Sequence, residues 1–201
     1  YYWIYRILVL QYIYKHHSNT KGYITDAFRQ DLSLIQSLSS NPNLWNTPIP
    51  HIVNRKPTFT AFCDSCNYGA GGYSPELKFW WHYSWPSSTT TKDDDETHIN
   101  LKEYIAIIIT YSIASSIIST NPNLSTETFP TINIYSDNSS AISWSTKGAK
   151  SSDPSAHSLS IFTCSLIQGQ RLGLTVSHIK GECNIIADDI SRLTFFDSFS
   201  F

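Results

Sequence analysis

The sequence predicts an α/β domain over residues 57–193, a five-stranded mixed sheet flanked by helices, with a helical appendage before it. Three observations carry that expectation. Three short β-prone runs follow one another between residues 58 and 85 with turn residues between them, as an antiparallel meander requires. A helical stretch over about 100–119 is apolar almost all round, which calls for burial against a sheet. Two later strand-like runs are linked by helical stretches, the pattern of a mixed sheet with helices packed on it.

Taken in order, residues 24–38 carry Phe28, Leu32, Leu34, Ile35 and Leu38 near helical spacing, and Asn41-Pro42 ends the pattern. Residues 45–57 hold three prolines and read as a linker, so 1–56 form a separate helical segment. Residues 58–64 are the first strand, 67–72 a turn-rich stretch, and 71–74 and 78–85 the next two strands. A polar loop over 87–96 leads to the long helix, whose Leu101, Ile105, Ile107, Ile108, Ile109, Ile113 and Ile117 point in most directions; Asn121-Pro122 closes it. Residues 131–136 are a fourth strand and 138–145 a short helix. Asp153-Pro154, an N-cap before a proline at the first helical position, opens a helix to about residue 168. Residues 172–179 are the fifth strand, 184–193 a last helix and 194–201 a tail.

The composition excludes several classes. With 41% hydrophobic, 14% aromatic and 15% charged residues the chain is not disordered of the highly charged kind. Fourteen Lys and Arg against 16 Asp and Glu give a net charge of -2, so any grip on nucleic acid must come from local patches. The apolar opening, residues 1–14, is interrupted by Arg6 and Gln11 and is a poor membrane span. No membrane partner is expected. The start at Tyr1-Tyr2-Trp3 and the absence of Met suggest an internal piece of a longer polyprotein or an incomplete gene model, and no secretory signal is visible. Cys63-x-x-Cys66 invites a zinc reading, but Cys164 and Cys183 do not supply a second close pair. Free thiols without disulfides are expected.

Four carboxylates stand where elements begin or end: Asp64, Glu103, Asp137 and Asp188. Singly, each has an ordinary explanation: Asp64 as a turn residue, Glu103 as a first-turn acid suiting the helix dipole, Asp137-Asn138-Ser139 as a cap. If they converge, burying like charges needs compensation, and a divalent cation with oxygen ligands is the natural one. The run Asp93-Asp94-Asp95-Glu96 reads instead as a solvated turn before a helix N-terminus. Phe79, Trp80, Trp81, Tyr83 and Trp85 alternate as two packed faces of a strand do, with base stacking as the other option.

Four blocks, FCDSCNYGAGG, HINLKEYIAI, IYSDNSSAISWSTKG and SHIKGECNIIADDISR, occur in order between Thr58 and Arg192. Together they resemble the ribonuclease H domain that follows reverse transcriptase in retrotransposon polyproteins, of the gypsy and DIRS types. The matching family patterns are D-A-S-x-x-G-x-G-G, H-I-N-x-L-E-x-x-A, D-N-t-t-A-v-x-w-x-x-K-G and H-i-p-G-x-x-N-x-x-A-D-x-L-S-R. The resemblance implies an RNase H-like fold and cleavage of the RNA strand of RNA–DNA hybrids with Mg²⁺, or Mn²⁺, as cofactor. It makes Asp64, Glu103, Asp137 and Asp188 the catalytic metal ligands and gives His178 the place of a mobile histidine that helps protonate or release product. Asn100 matches a position that reads the RNA strand, and Asn138, Lys147 and Lys180 join it as substrate-binding candidates; Lys150, Arg171 and Arg192 are further basic residues available to phosphates. Ser65, Lys102, Asp189 and Ile190 depart from the family pattern without removing a ligand. Helical phase does not separate Asp188 from Asp189; only the N-x-x-A-D match favours Asp188. By strand parity with Leu174 and Val176, His178 is equally a structural residue. Residues 1–56 resemble, more loosely, the connection to a polymerase whose own Asp-Asp motif is absent. The implied partners are a hybrid and a polymerase domain of the same polyprotein, in the cytoplasm or nucleus. The alternative is a catalytically silent module of the same fold, used for hybrid binding or domain packing.

Overall fold

The computed structural model describes residues 56–86, 95–124, 129–149, 153–168, 170 and 172–193, together with seven helical positions between 26 and 40. The β-prone runs fold as β1 (Phe59–Ser65), β2 (Gly69–Ser74) and β3 (Phe79–Ser84), which pair antiparallel in succession. After α1 (Asp95–Thr120), β4 (Thr131–Ser136) pairs parallel with β1. The helices α2 (Ser139–Lys147) and α3 (Pro154–Gln168) precede β5 (Gly173–His178), which pairs parallel with β4; α4 (Ile185–Ser191) comes last. The sheet order is β3-β2-β1-β4-β5, the expected five-stranded mixed sheet.

The period of two in β1 sends Phe59, Ala61 and Cys63 to one face and Thr60, Phe62 and Asp64 to the other. The first face meets α1, whose Tyr104, Ala106, Ile107, Ile108, Tyr111, Ala114 and Ile118 are buried with Ile132, Ile134, Trp81 and Leu172 in one core. Polar atoms of that core are paired: Tyr111 donates to the Leu172 carbonyl (2.7 Å), Trp81 to Thr110 (3.1 Å), and Tyr104 to Thr163 on α3 (3.1 Å). By length and composition Ile99–Thr120 would suit a membrane. Here its apolar surface serves the sheet, as the all-round pattern requires.

The second face carries an aromatic row, in which Phe62 stacks on Tyr73 (5.0 Å) and on Tyr135 (5.2 Å). Beside it, α4 packs on β1 and β2 through glycines. A Cβ on Gly71 would overlap Ile190 and lie 2.9 Å from the Ser191 nitrogen, and one on Gly69 would lie 2.9 Å from the Ser191 carbonyl. The β3 aromatics divide as alternation requires, Trp81 buried and Trp80 exposed.

Three of the boundaries that differ from expectation bear on the site. α1 starts at Asp95, five residues early, because Asp and Glu are favourable in a first helical turn. β2 starts at Gly69, since pairing with β3 extends through the glycines. The last helix is shorter, preceded by a 3₁₀ turn at Gly181–Cys183. Asp26, Arg29, Gln30, Leu32, Ser33, Gln36 and Ser40 are helical and exposed, with an Arg29–Asp26 ion pair at 3.2 Å. The rest of the expected appendage, linker residues 45–55, Asp93, Asp94, Lys150, Arg171 and tail 194–201 lie outside the described residues.

Candidate metal centre

Parallel pairing sets Phe62 beside Tyr135, so β1 and β4 finish at the same end of the sheet. Asp64 lies near the end of β1, and Asp137 follows β4 directly. Glu103 reaches the same place from α1. One carboxylate oxygen from each of Asp64, Glu103 and Asp137 lies within 4.8 Å of the others. The three acids meet from sequence positions that only the tertiary fold can join.

Their electrostatics are unfavourable as they stand. Asp64 is 6% exposed, and its pKa is pushed from 3.8 up to about 6. Burial is the main cause; the Asp137 and Asp188 charges add to it, while the Ser191 hydroxyl and the Arg192 charge oppose it. Glu103 is raised well above its ordinary value by burial, then by Asp64 and Asp137, against the Ser65 N–H and the Ser136 hydroxyl. Ser65 N donates to Glu103 Oε1 at 3.1 Å, but the buried Glu103 Oε2 accepts no hydrogen bond among the described residues. An orphaned carboxylate oxygen beside two further acids fits a divalent cation that takes oxygen ligands. Cys63 does not compete for it: burial first, then the Glu103 and Asp64 charges, hold its thiol protonated.

The other candidates surround this cluster. Asp188 is not in the close group; its Oδ1 accepts from Arg192 Nε at 2.7 Å, and its charge acts on Asp64. Asp189 is exposed. His178 ends β5 beside Ser136 and is exposed, whereas Leu174 and Val176 on the same face are half-buried. Asn138 caps α2 by accepting from Ala141 N (2.9 Å) and donates to Asn100 Oδ1 (2.8 Å). Lys147 is exposed in the last turn of α2, and Lys180 is exposed and pairs with Glu182 at 3.5 Å. The departing Lys102 is buried along its stem and donates to the Asn67 carbonyl (3.3 Å). None of Cys63, Cys66, Cys164 and Cys183 is in a disulfide among the described residues.

Sequence reasoning missed Ser191 and Asn184. Ser191 Oγ lies 2.7 Å from Asp64 Oδ2, and Asn184 Nδ2 donates to the Cys63 carbonyl at 3.0 Å. Both residues are in the last sequence block, but no local pattern told that they fasten α4 to β1.

No family model matches the chain, and no curated protein matches it. Among solved structures, the crystal structure of RNase H1 from the halophilic archaeon Halobacterium salinarum NRC-1 is similar. It is 15% identical, over 66% of this chain and 92% of that one, with a TM-score of 0.46. On its own topology, an antiparallel β1–β3 meander extended by parallel β4 and β5 with helices on both faces, the chain has an RNase H-like fold.

Proposed function

We propose that this chain is a metal-dependent endoribonuclease of the ribonuclease H type, hydrolysing the RNA strand of RNA–DNA hybrids during retrotransposon reverse transcription. The observation that carries the reading is the meeting of Asp64, Glu103 and Asp137 within 4.8 Å, with Glu103 Oε2 accepting no hydrogen bond among the described residues. The four sequence blocks support it, because these acids are the ones the family pattern names.

Asp64, Glu103 and Asp137 would hold the cation, Mg²⁺ or Mn²⁺, with Asp188 at the rim. When bound, such ions stabilise the charge that develops on the attacking and leaving oxygens of phosphoryl transfer. The protein's own work is placement. The sheet end fixes two acids and α1 the third. Asn100 and Asn138, joined to each other, face the RNA strand, whose 2′-OH distinguishes it from DNA. Lys147 and Lys180 are exposed and can approach phosphates as point charges. The exposed His178 can exchange a proton with a leaving oxygen through solvent. The reading places the domain beside a polymerase of the same polyprotein, in the cytoplasm or nucleus.

The test is cleavage of a labelled RNA–DNA hybrid in Mg²⁺ or Mn²⁺, with duplex DNA and single-stranded RNA as controls. Hybrid-selective cutting that Asp137→Asn abolishes is expected. Binding of the hybrid without cutting would make the chain the silent module instead, and neither binding nor cutting would overturn the reading.

A further inference from the structure

The last helix adds no carboxylate to the close cluster, yet it is tied to three of the four residues from 63 to 66. Asn184 Nδ2 donates to the Cys63 carbonyl (3.0 Å), and the Cys66 thiol donates to the Ser191 carbonyl (3.2 Å). Between them, Ser191 Oγ lies 2.7 Å from Asp64 Oδ2 and 2.9 Å from the Asp188 carbonyl. Ser191 is 1% exposed, so no solvent can take over its part. Its single proton has two acceptors, and an ionised carboxylate is the stronger. Asp64 Oδ2 is thereby held toward α4, which fixes the rotation of the carboxyl group and the direction in which Oδ1 faces.

We propose that Ser191 is a positioning residue, orienting Asp64 for cation binding and so making the cation site depend on the docking of α4. This rests on the reading of the three-acid cluster as a cation site. Hydrogen-bond partners of metal ligands typically change affinity by about 10–100-fold when removed. Ser191 would act in that manner on Asp64, while Cys66, whose thiol bonds to the Ser191 backbone carbonyl, would secure the helix without bonding to the carboxylate.

The experiment is a Mn²⁺ titration followed by electron paramagnetic resonance on the full chain and on Ser191→Ala and Cys66→Ala, with circular dichroism and thermal unfolding to establish folding. Ser191→Ala should weaken Mn²⁺ binding by roughly 10–100-fold. Cys66→Ala should lower the melting temperature but keep Mn²⁺ affinity within about twofold, a separation that packing alone would not produce. If Ser191→Ala binds Mn²⁺ like the unaltered chain, or both variants weaken alike, the positioning role is wrong while the cation site stands. An unaltered chain that binds no Mn²⁺ overturns both.

Discussion

Asn138 donates its side-chain amide to Asn100 Oδ1 at 2.8 Å while its own oxygen caps α2. Because the cap requires Asn138 Oδ1 to face Ala141 N, the orientation of the amide is determined, and Nδ2 must be the group that meets Asn100. That in turn occupies the oxygen of Asn100, whose Nδ2 makes no hydrogen bond among the described residues. A bond between α1 and α2 thus selects which hydrogen-bonding group Asn100 presents.

Removing the two asparagines should have different effects. Asn138→Ala loses both a cap and the bridge and should cost about 1–2 kcal/mol in urea unfolding. Asn100→Ala keeps the cap, should cost less than about 1 kcal/mol, and should raise KM for a hybrid more than it lowers kcat. Equal stability losses would show that the cap contributes nothing.

The metal-free protein should become less stable as pH rises from about 4 to 6. A carboxyl whose pKa rises from 3.8 unfolded to about 6 folded binds more protons in the folded state across that window, so the slope of stability with pH is negative there. For Asp64, which is almost fully buried, the change is on the order of 3 kcal/mol. Asp64→Asn should therefore raise the metal-free melting temperature by several degrees at pH 7–8 and bring no gain below pH 4. A melting temperature at pH 7 equal to or below that of the unaltered chain would refute the cost of holding a charged Asp64 in this buried place.

Asp137→Asn should lower hybrid cleavage by at least about 10³-fold, roughly 4 kcal/mol of barrier, at nearly unchanged hybrid affinity. His178→Ala should be milder, about 10²-fold, because solvent can partly replace an exposed proton carrier. Single-turnover rates and filter binding on the same hybrid separate the two quantities.

Gly71→Ala tests the seat of α4. The added methyl would overlap Ile190 and press on the Ser191 nitrogen, so the helix must lift. A loss of about 1–3 kcal/mol is expected in denaturant unfolding. An unchanged midpoint would mean that α4 does not sit against β2.

Much of this arrangement could be read beforehand because it rests on local patterns. The all-round apolar run named the core helix, and turn residues separated the meander strands. What escaped depends on side chains meeting across the fold. Strand parity with Leu174 and Val176 left His178 open between a catalytic and a structural role; it is exposed, whereas those two residues are half-buried, a difference that parity alone does not reveal. The Asp188 side chain stands apart with Arg192, an i,i+4 pairing that the sequence permits but does not compel. Ser191 looked like any small polar residue near a helix end; its importance lies in a bond to Asp64 across 127 positions.

Parallel pairing of β1 with β4 has a kinetic consequence. The strands that place Asp64 and Asp137 are neighbours in space, but α1 and its flanking segments must be threaded between their formation. Such pairing gives no return until a long loop has closed, so it is intrinsically slow. During synthesis the β1–β3 hairpins can form early, whereas β4 emerges later and α4 last of all. Any chain interrupted before β4 would carry two of the three acids at most, and would be unable to assemble the cluster however well its first hairpins had folded.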